Sequence, residues 1–282
     1  MKHILVATDF SNNAYSALFY VTSLLKEQQA VFYILNTYTE LTPLLSLSIP
    51  KQVGRELKEQ LKDESMEGLQ STLHKIVLDN GNPLHRFKTI SKHGDLVEAI
   101  ASIVKEGEID LVVMGTRGIT EAKAIFMGSS SLKVIGNLTS CPILMVPQQM
   151  DFKIPKEIAF VTDYKRAYQT KELTPLLFIS QLFDSFVRVM HINEDDVLSK
   201  DQRSCLRILK KHLASLKTSF HWMPYFLSKS RVINNFLEEQ HIELLVMVNY
   251  KHGFLKHLFK EPVIRKVTFN LAIPFLVIPG ND

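Results

Sequence analysis

A glycine-rich turn at residues 115–118 is the part of this chain whose residue types and spacing could do chemistry. It reads Gly115-Thr116-Arg117-Gly118, and Gly128-Ser129-Ser130-Ser131 follows it with the spacing G-x2-G-x9-G-S. Glycines let backbone N–H groups come close to an anion, and serine hydroxyls add donors at the start of a helix. The Arg117 guanidinium would add a positive charge. This combination is typical of a phosphate-binding site.

The residues on either side of the turn indicate how it is positioned. An apolar, strand-like run at residues 109–114 precedes it, and a helical pattern of apolar residues at 132–138 follows it. A tight strand-to-helix connection with a serine cap would have the same appearance, so that structural interpretation stays open. No Lys-Ser or Lys-Thr pair follows the glycines and no G-x-G-x-x-G opens the chain, which disfavours a Walker-type motor or a dehydrogenase.

Composition narrows the class of protein. The 282 residues are 46% hydrophobic and 22% charged, which is an ordinary globular composition with enough apolar content for two cores. A net charge of +4 does not indicate a nucleic-acid partner. Two cysteines, Cys141 and Cys205, form no disulfide framework or metal motif, as expected in a reducing compartment. No signal peptide or membrane span is predicted, so a cytoplasmic location is expected.

The chain contains the same unit twice. The segment at residues 2–10, Lys-His-Ile-Leu-Val-Ala-Thr-Asp-Phe, returns at residues 156–164 as Lys-Glu-Ile-Ala-Phe-Val-Thr-Asp-Tyr. Two further strand-like segments match in the same order: residues 109–114 with 242–247, and residues 141–147 with 273–279. These matches predict two tandem domains, residues 1–147 and 154–282, joined by a short linker.

Apolar strand patterns alternate with helical patterns within each half. In the first half, strands are predicted near 3–8, 31–36, 86–91, 109–114 and 142–146, and helices near 12–28, 51–79, 95–106 and 129–139. This alternation predicts a doubly wound α/β domain, a parallel sheet with helices on both faces. Ligands of such sheets bind beyond the carboxyl ends of the strands. Asp9 and Gly115 each end a strand, so one crevice can receive both.

The same residues carry a family resemblance. The first strand that ends in Asp9, the loop G-x2-G-x9-G-[ST] and the closing strand Cys141-Pro-Ile-Leu-Met-Val-Pro147 resemble the universal stress protein family, and the resemblance covers the whole chain as two tandem domains. It implies five-stranded parallel sheets in the order 3-2-1-4-5, with ATP across the ends of strands 1 and 4. It also implies dimerisation through the last strand, which two tandem domains can mimic within one chain as a pseudo-dimer; a homodimer of the whole chain is a further expected assembly.

The resemblance also implies which residues contact the nucleotide. Those at the ends of the first two strands would lie near adenine, ribose or a metal, and those of the glycine loop would hold the phosphates. The residues assigned to cofactor binding are Ala7, Thr8, Asp9, Thr37, Met114, Gly115, Arg117, Gly118, Gly128, Ser129, Ser130 and Ser131. No catalytic residue is assigned.

Asp9 is the exception among these residues, because a carboxylate repels phosphate. It would fit if it met ribose hydroxyls or a nucleotide-bound Mg²⁺. The alternative is a structural role, in which Asp9 caps the helix that begins near Ser11.

The second half departs from the pattern. Gly253 is the one glycine that remains of its loop and is out of register, while Tyr250 and Lys251 bring side chains where backbone must approach. Lys260-Glu261 stand where the family has Gly-Ser, so ATP binding in this half is not expected. A basic run at residues 251–266 fits a solvated face better than a nucleic-acid patch.

The expected function is therefore that of a cytoplasmic, ATP-binding stress-response protein of regulatory type, with one nucleotide site in the first domain. The binding partner would be an adenine nucleotide, with Mg²⁺ as a companion ion. Two alternatives stay open: a slow ATPase, and an interaction or dimerisation module that binds no nucleotide.

Overall fold

The computed structural model describes residues 1–39, 51–116, 129–147, 152–193, 197–225, 228–250 and 273–280. Strands and helices alternate along both halves, as the sequence predicts. The strands are β1 (Lys2–Ala7), β2 (Ala30–Tyr38), β3 (His85–His93), β4 (Leu111–Gly115), β5 (Ile143–Val146), β6 (Glu157–Val161), β7 (Phe186–Asn193), β8 (Lys217–Pro224), β9 (Leu244–Asn249) and β10 (Phe275–Pro279). The helices are α1 (Asn12–Leu24), α2 (Lys51–Asp79), α3 (Leu96–Glu106), α4 (Ser129–Asn137), α5 (Thr170–Phe183), α6 (Lys200–His212) and α7 (Lys229–Glu239).

The ten strands form one sheet in the order β3-β2-β1-β4-β5-β10-β9-β6-β7-β8. The first five strands have the predicted order 3-2-1-4-5, and the second five repeat it in the opposite direction. Pairing is parallel within each half. The halves join where β5 and β10 pair antiparallel, with Leu144 opposite Leu276. The two predicted sheets are thus continuous, and their carboxyl edges point in opposite directions.

The strands next to this junction are almost entirely apolar. All four residues of β5 are buried, as are Phe275 to Ile278 of β10. Helices cover both faces of a parallel sheet, so both faces of its strands must be apolar. Each face has a core that continues across the junction: Leu144 and Leu276 belong to one, and Met145 and Phe275 belong to the other.

The helix ends have identifiable causes. The Ser11 side chain accepts a hydrogen bond from the backbone N–H of Ala14 and caps α1. The Asp95 carboxylate accepts from Val97 N at 2.7 Å and caps α3 in the same way. Helix α1 ends at Leu24, four residues before the predicted end, because residues 25–29 turn back to start β2.

Histidines in the strands have structural partners. His85 in β3 lies 3.0 Å from the Leu25 carbonyl and 2.8 Å from Asn80, and burial lowers its pKa. His191 in β7 donates to the carbonyl of Thr162. In the described ranges, no helix combines the length and apolarity needed to cross a membrane.

The two thiols are expected to react at very different rates. Cys141 is buried, and burial, with a smaller contribution from Asp110, raises its pKa to about 12, whereas Cys205 is partly exposed. At pH 8 only about one Cys141 in ten thousand would be a thiolate. Ellman's reagent should therefore modify one thiol of the native chain and the second only in denaturant. Cys205→Ser should remove the native reaction, and rapid modification of both thiols would contradict this packing.

Candidate functional site

A cavity of about 340 Å³ lies at the carboxyl edge of the first half's sheet. It opens where β1, β2 and β4 end and where α1, α3 and α4 begin. Its size is within the range of small-molecule sites. The lining residues are Ala7, Thr8, Asp9, Asn13, Ala14, Asn36, Thr37, Leu96, Met114, Gly115, Ser130 and Ser131.

The loop after β1 is held in one conformation by its own side chains. The Thr8 hydroxyl accepts from Phe10 N at 3.0 Å, and Phe10 has a left-handed φ of 64°. Asp9 Oδ1 accepts from both the backbone N–H and the hydroxyl of Ser11, at 3.1 and 2.5 Å. Ser11, rather than Asp9, is the residue that caps α1. Asp9 thus supports the cap while it remains exposed in the cavity wall.

A buried asparagine fixes the second strand against this loop. Asn36 Nδ2 donates to the Thr8 carbonyl at 2.8 Å, and Thr8 N donates to the Leu35 carbonyl at 2.8 Å. Thr37 follows Asn36 and faces the same cavity. The polar edge of β2 is therefore rigidly joined to the end of β1.

Gly115 lies against helix α1 so closely that it admits no side chain. A Cβ at this position would lie 2.6 Å from Asn13 Nδ2 and 2.8 Å from the Asn13 carbonyl oxygen. Asn13 is 8% exposed, and its buried Oδ1 at the cavity wall has no hydrogen-bond partner among the residues that the structure describes. A buried amide oxygen without a partner is an acceptor that a bound ligand could satisfy.

Helix α4 begins at the same cavity. Ser131 is 4% exposed, and its hydroxyl donates to the Gly115 carbonyl at 3.4 Å, while Ser130 is exposed in the wall. The unpaired N–H groups of a helix N-terminus favour an anion. Ser129 starts the helix, and its side chain lies outside the described part. Arg117, Gly118 and Gly128, the remaining predicted phosphate ligands, also lie outside the described residues.

Among the described residues of this cavity wall, Asp9 is the one that carries a charge. Its Oδ1 carries two hydrogen bonds, and Oδ2 makes none among the described residues. In the parts of the chain that the structure describes, no group of three His, Cys, Asp or Glu side chains has the geometry of a metal site. A Mg²⁺ ion here would therefore need ligands from the nucleotide and water in addition to Asp9.

The structure brings together eight of the predicted residues and adds four that sequence reasoning missed. The eight are Ala7, Thr8, Asp9, Thr37, Met114, Gly115, Ser130 and Ser131. The additions are Asn13, Ala14, Asn36 and Leu96. Asn36 carried a signal, because it is a polar residue at the end of an apolar strand. No feature of the sequence marked Asn13 and Leu96 as site residues, since they reach the cavity through the packing of their helices.

In its described residues, the second half repeats the loop after the first strand but carries a different residue at the position of Gly115. Thr162 accepts from Tyr164 N at 3.1 Å and Asp163 from Lys165 N at 3.0 Å, as Thr8 and Asp9 do in the first half. The strand registers pair Ile4 with Leu111 and Ile158 with Leu244. Val248 therefore occupies the position of Gly115, and it is 4% exposed. A buried valine replaces the open backbone of the first half.

Tyr250 is a second residue that differs at this edge, and its side chain contacts the Asp163 carboxylate. Its hydroxyl lies 2.8 Å from both carboxylate oxygens of Asp163, to which it donates. Burial, followed by the negative charge of Asp163, raises the pKa of Tyr250, so its hydroxyl stays protonated. Arg166 lies 5.2 Å over the Tyr250 ring and pairs with buried Glu172. Asp163 is thus engaged by the chain itself. Residues 251–272, which include Gly253 and Lys260-Glu261, lie outside the described residues.

Gly115→Ala should destabilise the protein, because the added Cβ would overlap Asn13. Overpacking of this kind costs about 1–3 kcal/mol. Gly136→Ala in α4 is the control: its Cβ meets nothing within 4 Å, and alanine is the better helix former. Urea unfolding should show a loss for the first variant and no loss for the second. Equal stabilities would mean that Asn13 can move aside without cost.

Tyr250→Phe should lower the free energy of unfolding by about 1.5–3 kcal/mol, since a buried hydrogen bond to a carboxylate is lost. Asp163 would retain the Lys165 N–H bond but lose its hydroxyl donor. Tyr225→Phe serves as the matched control, because Tyr225 is 49% exposed. Indistinguishable urea midpoints for the two variants would show that Tyr250 does not hold Asp163 in solution.

Comparisons with known proteins agree with this architecture over the whole chain. A universal stress protein structure from Archaeoglobus fulgidus superposes with a TM-score of 0.73 at 18% identity, covering 98% of this chain and 97% of that one. A universal stress protein of Synechocystis is 25% identical over 98% of this chain and 99% of its own. A Bacillus subtilis universal stress protein is 32% identical over 51% of this chain and 97% of its own. Residues 1–147 match the model of the Universal stress protein family, and the chain belongs to that family.

Proposed function

We propose that this chain is a regulatory stress-response protein that binds one adenine nucleotide, ATP with Mg²⁺, in the cavity of its first half. The observation that carries the proposal is the convergence of Gly115, the start of α4 and Asp9 on one cavity at the carboxyl edge of the sheet. Residues 1–147 would form the nucleotide-binding domain and residues 154–282 a partner domain of the same fold. A cytoplasmic location is part of the proposal.

The wall offers a different chemistry to each part of a nucleotide. Leu96 and Met114 supply apolar surface for a base, and Thr37 backbone groups can face its polar edge. The Asp9 carboxylate can accept hydrogen bonds from ribose hydroxyls or contact Mg²⁺. The N–H groups and serines at the start of α4 suit phosphate, and Arg117, Gly118 and Gly128 would extend that cradle.

The second half is proposed to bind no nucleotide in the same way. Val248 fills the place of Gly115, and Tyr250 takes up the carboxylate that corresponds to Asp9. Its role would be to pair with the first half as a fixed pseudo-dimer partner. The outer strands β3 and β8 are the edges through which two chains could associate.

The deciding experiment is mass spectrometry of the nucleotide released when freshly purified protein is denatured, followed by titration of ATP·Mg into the stripped protein. We expect about one equivalent per chain. Asp9→Asn should weaken binding about tenfold or more, because a charged acceptor is worth about 1.5–3 kcal/mol. Gly128→Val should abolish binding without changing the unfolding of the free protein, and Gly136→Ala should bind normally.

Three results would contradict the proposal, and the first two would each favour another function. Absence of nucleotide and of saturable binding would favour an interaction module with a vestigial site. Steady phosphate release that Asp9→Ala abolishes would favour a slow ATPase. Two equivalents per chain would contradict the asymmetry between the halves.

A further inference from the structure

A second and larger cavity, of about 480 Å³, lies away from the proposed nucleotide site, at the junction of the two halves. It sits on one face of the sheet, above the first residues of β1 and β4, the residue that precedes β5 and the last residues of β10. Helix α5 covers it from the second half and the end of α1 from the first. The apolar part of its wall comes from residues such as Leu25, Phe178, Ile179 and Leu276.

The two halves are pseudo-symmetric, so the equivalent position in the other half indicates which kind of group the cavity can accept. The halves are related across the Leu144–Leu276 pair. Ser11 is the N-cap of α1 and Gln169 that of α5, so Tyr20 corresponds to Phe178 and Thr22 to Ser180, the last two each 1% exposed. Around Tyr20 the position is filled: the ring of Phe152 lies against it, 5.3 Å between centroids and 60° between planes.

The surroundings of these two rings also correspond. Asp110 beside the cavity accepts from His3 N at 2.8 Å, and Glu243, its counterpart, accepts from Glu157 N at 3.2 Å. Burial, and after it the negative charge of Glu243, raises the pKa of Tyr20. The cavity at Phe178 is thus the counterpart of a place that accepts an aromatic ring.

The charges in the wall favour an acidic ligand. Lys2 Nζ lies 3.4 Å from Asp110 and 4.6 Å over the Phe178 ring, so this lysine and aspartate are paired. Glu172 pairs with Arg166. Lys171, exposed at the cavity wall, has no ion pair among the described residues. One cation therefore remains for a ligand to neutralise.

We propose that this junction cavity binds a small aromatic acid, with its ring beside Phe178 in the place that Phe152 takes against Tyr20, and its acidic group toward Lys171. The site is independent of the nucleotide cavity, so it can be occupied with or without nucleotide. Because both halves line it, its ligand would bridge them.

A matched pair of fluorescent probes tests both parts of the proposal. 8-Anilino-1-naphthalenesulfonate carries the aromatic body with one acidic group, and N-phenyl-1-naphthylamine is the same body without it. The full-length protein should bind each at one saturable site, and excess ATP·Mg should displace neither. Lys171→Met should weaken the sulfonate about fivefold, as expected for one exposed ion pair, and leave the neutral probe unchanged. Lys62→Met on α2, which is exposed and does not line the cavity, should affect neither.

A second variant fills the cavity. Leu25→Phe replaces a leucine of the cavity wall by a larger, aromatic side chain. The second half already carries Phe183 at the corresponding position. It should weaken both probes about tenfold while the urea midpoint stays equal or rises, since space is filled rather than overpacked. Unchanged affinity for both probes in folded Leu25→Phe, absence of saturable binding, or displacement by ATP·Mg would overturn the proposal. If Lys171→Met and Lys62→Met changed the affinity for the sulfonate equally, this would overturn the part of the proposal that gives the ligand an acidic group.

Discussion

The antiparallel pairing of β5 with β10 is the contact on which the rest of this molecule depends. It is short, but both strands are buried on both faces, so apolar side chains from the two halves enter the same two cores. Burial of this kind is the main favourable term in folding. Because the pair is antiparallel, the carboxyl edges of the halves face opposite ways. The first half's cavity and the second half's Asp163 cluster therefore lie at opposite edges of one sheet.

The same loop conformation occurs in both halves but has a different role in each. In the turns after β1 and β6, a threonine and an aspartate side chain accept equivalent backbone hydrogen bonds. The residue after the aspartate has a left-handed φ in both turns. What differs is the end of the neighbouring strand. Gly115 leaves room for a cavity, whereas Val248 and Tyr250 fill the corresponding space and engage the carboxylate. Buried polar groups must be satisfied; the second half satisfies its aspartate internally, and the first leaves Asp9 facing a cavity.

The pseudo-symmetry is broken a second time at the junction. The segment that connects the halves contributes the Phe152 ring beside Tyr20, and the corresponding space beside Phe178 is a cavity. A close-packed interior tolerates few spaces of this size. Among the described residues, Val248 and Tyr250 distinguish the second half's edge from the first half's cavity, and the Phe152 ring distinguishes the surroundings of Tyr20 from those of Phe178.

The sequence by itself determined the order and type of the elements, the duplication and the glycine-rich turn, because hydrophobic periodicity and glycine spacing are local properties. It also located the ends of β1 and β4, and therefore most of the cavity wall in the first half. Only the tertiary structure decided that Asn13 lies on Gly115, that Asn36 holds Thr8, and that Tyr250 bonds to Asp163. These contacts join residues far apart in sequence or on different elements. Their distances follow from how helices pack on the sheet, which no local pattern records.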